Sequence, residues 1–213
     1  MVVVVVVAGA LVAVRAWRRR QRRRQPGVDP LCVEPAAGAR GPVCVIGDSL
    51  TYAGRAALVG DLVAAGFGPV RVDARPARRC VRDAPLSGVR AAALARRCVP
   101  ASTRWLVALG QNDADRATPV AAARCVTRVL DAIGPAAAVT WLDLVTVPPA
   151  TSPAVFDAAI ATVCAASPCL RVAPWSATAA GSSEWFTADG IHNTAAGVAA
   201  RNGFIVEHLA AGA

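Results

Sequence analysis

Five short apolar runs alternate with five alanine-rich helical patterns along most of this chain, and nothing else in it limits the possible folds so strongly. The strand candidates are 43–46, 70–73, 105–109, 139–144 and 170–173, rich in Val, Leu, Ile and Trp. Helices are expected over 52–65, 88–97, 119–133, 153–166 and 195–210. Start signals agree with this division: Ser87 can cap the second helix, and Thr118-Pro119 and Ser152-Pro153 each set a capping hydroxyl before a first-turn proline. Such alternation implies right-handed βαβ crossovers and an α/β fold with a parallel sheet covered by helices on both faces. Strands buried on both faces read as continuous apolar runs, as these do. In sheets of this kind ligands bind beyond the carboxyl ends of the strands, so a chemically active motif should directly follow a strand.

The ends of the chain read differently. Residues 1–14, "MVVVVVVAGALVAV", form an apolar run, and Arg15 to Arg24 hold seven of the 23 basic residues. Basic residues after the apolar run, with no small-residue cleavage site, point to an N-terminal membrane anchor over 1–17 rather than a removed signal peptide. A cell-membrane location with a single N-terminal anchor is therefore expected. Residues 18–41 are a basic stretch and a Pro/Gly-rich linker, and 42–213 are one globular domain. Once the basic block is set aside, the formal charge of +9 falls to about +2, which removes the main electrostatic argument for nucleic-acid binding. The chain has no lysine, which excludes Schiff-base chemistry and a phosphate-binding lysine.

Seven cysteines show no metal spacing, and no metal or cofactor is expected. A disulfide could close the short loop between Cys164 and Cys169, and another could join Cys80 to Cys98. Such pairs would place the domain outside the cytoplasm, whereas the basic block after the apolar run favours the inside. The balance leans outward. Buried free cysteines are the alternative.

Three motifs carry candidate chemistry, and the first two meet the positional test. "GDSLT" follows the first strand and opens the first helix, so Ser49 is either a helix cap or a hydroxyl exposed at a helix N-terminus, where developing negative charge is favoured. "GQND" follows the third strand, and Asn112 either forms a turn or donates its amide to an oxyanion. "DGIHNT" precedes the last helix. There Asp189 can accept a ring N–H of His192 and leave the other nitrogen to take a proton from a serine. Alternatively Asn193 or Thr194 caps the last helix beside a solvated His192. The second histidine, His208, lies in the final helical pattern and reads as a surface residue.

With "GDSL", "GQND" and "DGIH" in this order from about residue 42 to the C-terminus, the chain resembles the SGNH hydrolases, the GDSL esterase and lipase family. The resemblance implies a three-layer, flavodoxin-like fold with a five-stranded parallel sheet flanked by helices. It implies Ser49 as nucleophile, His192 as general base and then acid, and Asp189 as its orienting carboxylate. The oxyanion hole would comprise the Ser49 N–H, the Asn112 side chain and a backbone N–H from the second block. That block normally carries a glycine but reads "DARPARRC" here, which places Ala77 at the position. Gly110 would allow the tight turn of the third block, and Asp48 would hold the turn of the first. Trp175, Trp185 and Phe186 either line the substrate pocket or pack the C-terminal loop. Arg75, Arg78, Arg79 and Arg82 either attract an anionic substrate or form a solvated face. The implied activity is hydrolysis of a carbohydrate or lipid acyl ester, with an O-acyltransferase or a degenerate binding domain as alternatives.

Overall fold

The computed structural model describes residues 30–33, 40–80 and 87–211. Six strands form one sheet: β1 (Leu31–Val33), β2 (Val43–Gly47), β3 (Val70–Ala74), β4 (Arg104–Ala108), β5 (Val139–Leu142) and β6 (Leu170–Ala173). Their order is β1-β3-β2-β4-β5-β6, parallel throughout except for β1, which runs antiparallel to β3 at one edge. The five expected strands are present. The sixth, β1, lies in the segment read as a linker, because three residues between irregular neighbours carry no legible alternation. Expectation and structure also differ at β5, which stops at Leu142. The Leu144 N–H leaves the ladder for Asp157 Oδ1, 2.9 Å away.

Helices α1 (Ser49–Ala64), α2 (Gly88–Ala95), α3 (Pro119–Ile133), α4 (Ala154–Ala165), α5 (Trp175–Ala179) and α6 (Ala195–Ala211) connect and cover the strands. Two apolar layers result. On one face Ile46, Trp105, Val107 and Trp141 pack with α2, α3 and α4; on the other Val45, Val72, Leu106 and Leu142 pack with α1, α5 and α6. Alternate residues of each strand go to opposite layers, and both layers are apolar, which is why all five residues of β2 are buried. On α1 the stripe Thr51, Gly54, Leu58 and Leu62 faces the sheet at helical spacing. Leu58 and Leu62 are wholly buried and each contributes about 2 kcal/mol. The Ser87 and Thr118 caps form as expected, accepting from the N–H groups of Arg90 and Ala121. Pro153 is itself the cap position of α4, and Ser152 Oγ accepts from Ala154 N–H at 3.4 Å.

Two expectations are overturned here. Cys80 pairs with Cys125 on α3, while Cys98, Cys164 and Cys169 are free. The loop after β3 crosses to α3, so Cys80 meets a partner 45 residues away and not Cys98. Cys164 instead gives its thiol hydrogen to the Leu170 carbonyl at 3.1 Å. The expectation of a cell-membrane location through one N-terminal anchor is also corrected. No helix among the described residues is long and apolar enough to cross a membrane, and residues 1–17 lie outside the described residues.

Register places the candidate site. Gly47 stands opposite Ala74 on one side and Ala108 on the other, so β2, β3 and β4 end at the same level. The three segments that follow them, 48–50, 75–80 and 109–113, therefore meet at one edge of the sheet.

Candidate active site

Asp48 caps α1: its Oδ1 accepts from Leu50 N–H at 3.0 Å. The capping role therefore belongs to Asp48, and Ser49, the first helical residue, keeps its hydroxyl for another partner. That partner is His192, whose Nε2 lies 3.2 Å from Ser49 Oγ. On the other side of the ring, Nδ1 lies 2.6 Å from Asp189 Oδ2. Asp189 Oδ1 accepts from Thr187 Oγ1 at 2.8 Å and from the N–H groups of Ile191 and His192, both at 2.9 Å. The His192 ring bond and these further donors hold the Asp189 carboxyl well below the usual carboxylate range, although its side chain is 48% exposed. An ionised carboxylate thus fixes the ring with Nε2 toward the serine. Both helix-cap alternatives are resolved: Thr194 caps α6, accepting from Gly197 N–H at 3.3 Å, and His192 still reaches Ser49.

The loop carrying Asp189 and His192 is clamped from below. Gly190 has φ +71°, its carbonyl accepts from Val147 N–H at 2.9 Å, and a Cβ on it would collide with the Val147 carbonyl. Only glycine fits that approach. Gly110 is held in the same way: φ is +127°, and a Cβ would strike the Phe156 ring.

Ala77 adopts φ +54°, the only non-glycine residue among those described with a positive φ. The glycine-free second block therefore takes a glycine-like backbone conformation. Its shape is set by Arg78, which is 1% exposed and not part of a solvated face. The Arg78 guanidinium donates to the Gly47 carbonyl at 3.0 Å, to the Asp73 carbonyl and to Asp73 Oδ1 at 2.6 Å. Arg75 and Arg79 are half-buried, and Arg82 lies outside the described residues. Asp113 adds a second tie, accepting from Cys80 N–H at 2.8 Å. Asn112 Nδ2 donates to the Arg78 carbonyl at 3.2 Å and to Asp48 Oδ2 at 3.4 Å, beside Ser49.

Trp175 is buried and stacked on Trp185, with ring centroids 5.6 Å apart and planes 5° apart, and it leans against Phe204 of α6. Phe186 is buried with them. These aromatics pack the C-terminal loop onto the sheet. Trp175 and Phe186 also line a cavity of about 10 Å³ behind the serine, together with Asp48, Gln111, Asp143, Asn193 and Arg201. His208 is half-buried and not a surface residue: its ring lies 3.9 Å from that of Phe204.

Asp113 and Arg201 escaped the sequence reading, and Arg78 entered it only as an anion attractor or part of a solvated face. Arg201 had a signal: it falls on the stripe Gly197, Arg201, Ile205 and Leu209, spaced four apart, where an apolar residue is expected. Arg78 had none, being one of four arginines in eight residues. No group of acidic, histidine or cysteine side chains among the described residues could hold a metal ion.

Neither a protein-family model nor a curated protein matches this chain. Solved structures do. A lipase/acylhydrolase from Enterococcus faecalis superimposes with a TM-score of 0.62 at 21% identity, covering 80% of this chain and 96% of that one. A GDSL-like lipase from Bacteroides thetaiotaomicron gives 0.62 at 12% identity, with 82% and 90% covered. The C-terminal catalytic domain of peptidoglycan O-acetyltransferase A from Streptococcus pneumoniae gives 0.56 at 14% identity, with 80% and 91% covered. With its sheet order, its two helical layers and these neighbours, the chain is built on the fold of the SGNH hydrolases.

Proposed function

We propose that this chain is a serine esterase of the SGNH family that cleaves carboxylic esters through an acyl-enzyme. The observation that carries the reading is the continuous relay from Asp189 through His192 to Ser49, at 2.6 and 3.2 Å. Ser49 Oγ attacks the ester carbonyl carbon while His192 Nε2 takes its proton. Collapse of the tetrahedral adduct breaks the bond to the alcohol, which leaves with that proton. Water then attacks the acyl carbon, His192 again relays the proton, and the carboxylic acid departs. Negative charge on the adduct would be met by the Ser49 and Ala77 N–H groups and by the Asn112 amide, which would turn from the Arg78 carbonyl toward the oxyanion. Substrates are acyl or acetyl esters of a carbohydrate or lipid.

An O-acyltransferase is the second reading, favoured by the similarity to the peptidoglycan O-acetyltransferase domain. There a sugar hydroxyl replaces water in the second half-reaction. A binding domain without activity is disfavoured, because the hydrogen-bonded relay has no structural task that a cap alone would not meet.

The test is labelling with a fluorophosphonate probe and hydrolysis of p-nitrophenyl acetate. Wild type should label and hydrolyse, and Ser49→Ala should lose labelling altogether. A folded wild type that does neither would exclude both catalytic readings. Adding a soluble oligosaccharide separates them, since a transferase forms acylated sugar at the expense of free acetate.

A further inference from the structure

Arg201 sits in the middle of the last helix, 4% exposed, and no step of the reaction above uses it. Its Nη1 donates to Thr51 Oγ1, 3.3 Å away across the α1–α6 interface, and it lines the small cavity behind the serine together with Asp48. Thr51 is wholly buried and packs so tightly beneath the first block that a Cβ on Gly47 would collide with it. One turn further along the interface, Asn202 Nδ2 donates to the Gly54 carbonyl at 3.1 Å, and a Cβ on Gly54 would run into Val198. The helix that follows the Asp189–His192 loop is thus joined by polar contacts to the helix that begins at Ser49.

Asp48 is the shared point. One oxygen caps α1 through Leu50 N–H, and the other accepts from Asn112 Nδ2. Arg201 lines the same small cavity from α6, and Arg78 of the second-block loop donates to the neighbouring Gly47 carbonyl at 3.0 Å. Asp143, after β5, lines the same small cavity, but its carboxylate is held by the Ser176 hydroxyl at 2.6 Å. Burial pushes the Asp48 carboxyl up to about 6, the two arginines pulling against that rise, and burial draws the Arg201 guanidinium down to about 10. A buried charge of this kind persists only if its partner is present.

We infer that Arg201 is a positioning residue: its charge keeps the buried Asp48 ionised, so that one carboxylate fixes both the Ser49 helix terminus and the Asn112 amide. This rests on the esterase reading of the same site. Arg201 touches no reacting atom. It acts because a protonated Asp48 would lose an acceptor face and release either the helix cap or Asn112.

The experiment measures fluorophosphonate labelling rates from pH 5 to 9 for wild type, Arg201→Lys, Arg201→Met and Asp48→Asn/Arg201→Met. Arg201→Met should label at least tenfold more slowly near pH 6.5, and its acid limb should move up by about one pH unit or more, because Asp48 without its counter-charge ionises later. Arg201→Lys should keep the wild-type limb. The double variant should lose that upward displacement, its limb lying at or below the wild-type position, since no buried carboxylate remains to titrate. A purely structural arginine would lower the rate at every pH without moving the limb, and that outcome overturns the proposal. So does a limb displaced equally in the lysine and methionine variants. If Arg201→Met does not fold, the double variant decides: folding and labelling support the coupling, and failure to fold overturns it. Should wild type itself not label, the esterase reading falls separately. The Asp48–Arg201 coupling is then read from melting temperature against pH in the same four proteins, with the same expected order.

Discussion

Ala77 carries the main departure from the usual composition of this kind of site, and the structure shows how it is accommodated. An alanine at φ +54° costs about 1–2 kcal/mol relative to the right-handed region. The Arg78 contacts to Gly47 and Asp73 compensate by holding the turn. Ala77→Gly is therefore expected to keep or raise activity and to change stability by no more than about 1 kcal/mol, since relief of strain offsets added chain entropy. Ala77→Val, β-branched at a positive φ, should lose both activity and several degrees of melting temperature. Thermal melts with p-nitrophenyl acetate rates on the three proteins check this, and a fully active valine variant would show that the turn does not matter. At Asp189 the expectation is sharper. Asp189→Asn can turn an amide N–H toward His192 Nδ1 and so favours the wrong tautomer, and kcat should fall by about 10⁴-fold while the fold is kept. Ser49 was legible from a motif because it lies two residues past a strand end, and Asp189 and His192 because they stand three residues apart just before the last helix. Arg78 and Arg201 were not, because burial of an arginine depends on partners 5 to 150 residues away.

The elements were easier to read than their ends. α1 starts at Ser49 and not at residue 52, because the Asp48 cap admits a further turn. That shift settles whether Ser49 is a cap or a free hydroxyl, so a boundary of three residues decided a functional question. Between elements, the Cys80–Cys125 disulfide ties the second-block loop to α3. With 45 residues between the two cysteines, chain-entropy arguments assign it about 4 kcal/mol of stability. Reduction with a strong thiol should lower the denaturation midpoint accordingly and slow hydrolysis, because Cys80 N–H also anchors Asp113. Urea melts of the oxidised and reduced protein, or of Cys80→Ala/Cys125→Ala, measure it. An unchanged midpoint would show that the loop is held by Arg78 and Asp113 alone. Cysteine pairing was hidden from the sequence because seven cysteines allow many partners, and only the crossover of the loop over the sheet selects one.

Across the whole molecule, the pH response is set by three carboxylates, buried Asp48 and half-buried Asp143 and Asp157. Burial raises Asp48 and Asp157 to about 6 and raises Asp143 as well. Each binds its proton more tightly folded than unfolded, so each subtracts stability as pH rises above the ordinary carboxylate range, Asp48 and Asp157 between about 4 and 6. Asp189 acts in the opposite sense: its contribution is present above its ordinary value and is lost as pH falls below it, and solvent screening keeps it small at this exposed site. Asp157→Asn, which retains an oxygen for the Leu144 N–H, should therefore remove part of the loss between pH 4 and 6. Melting temperature against pH for wild type and variant tests the sign, and a steeper loss in the variant would contradict it. The α/β class, five parallel strands, the order of the motifs and the catalytic candidates followed from local pattern, since periodicity and caps are written within a dozen residues. The antiparallel edge strand, the disulfide, the left-handed Ala77, the buried arginines and the contact of His192 with Ser49 came from tertiary structure. They depend on which distant segments the sheet brings to one edge, and that follows from register and packing and not from any local stretch of chain.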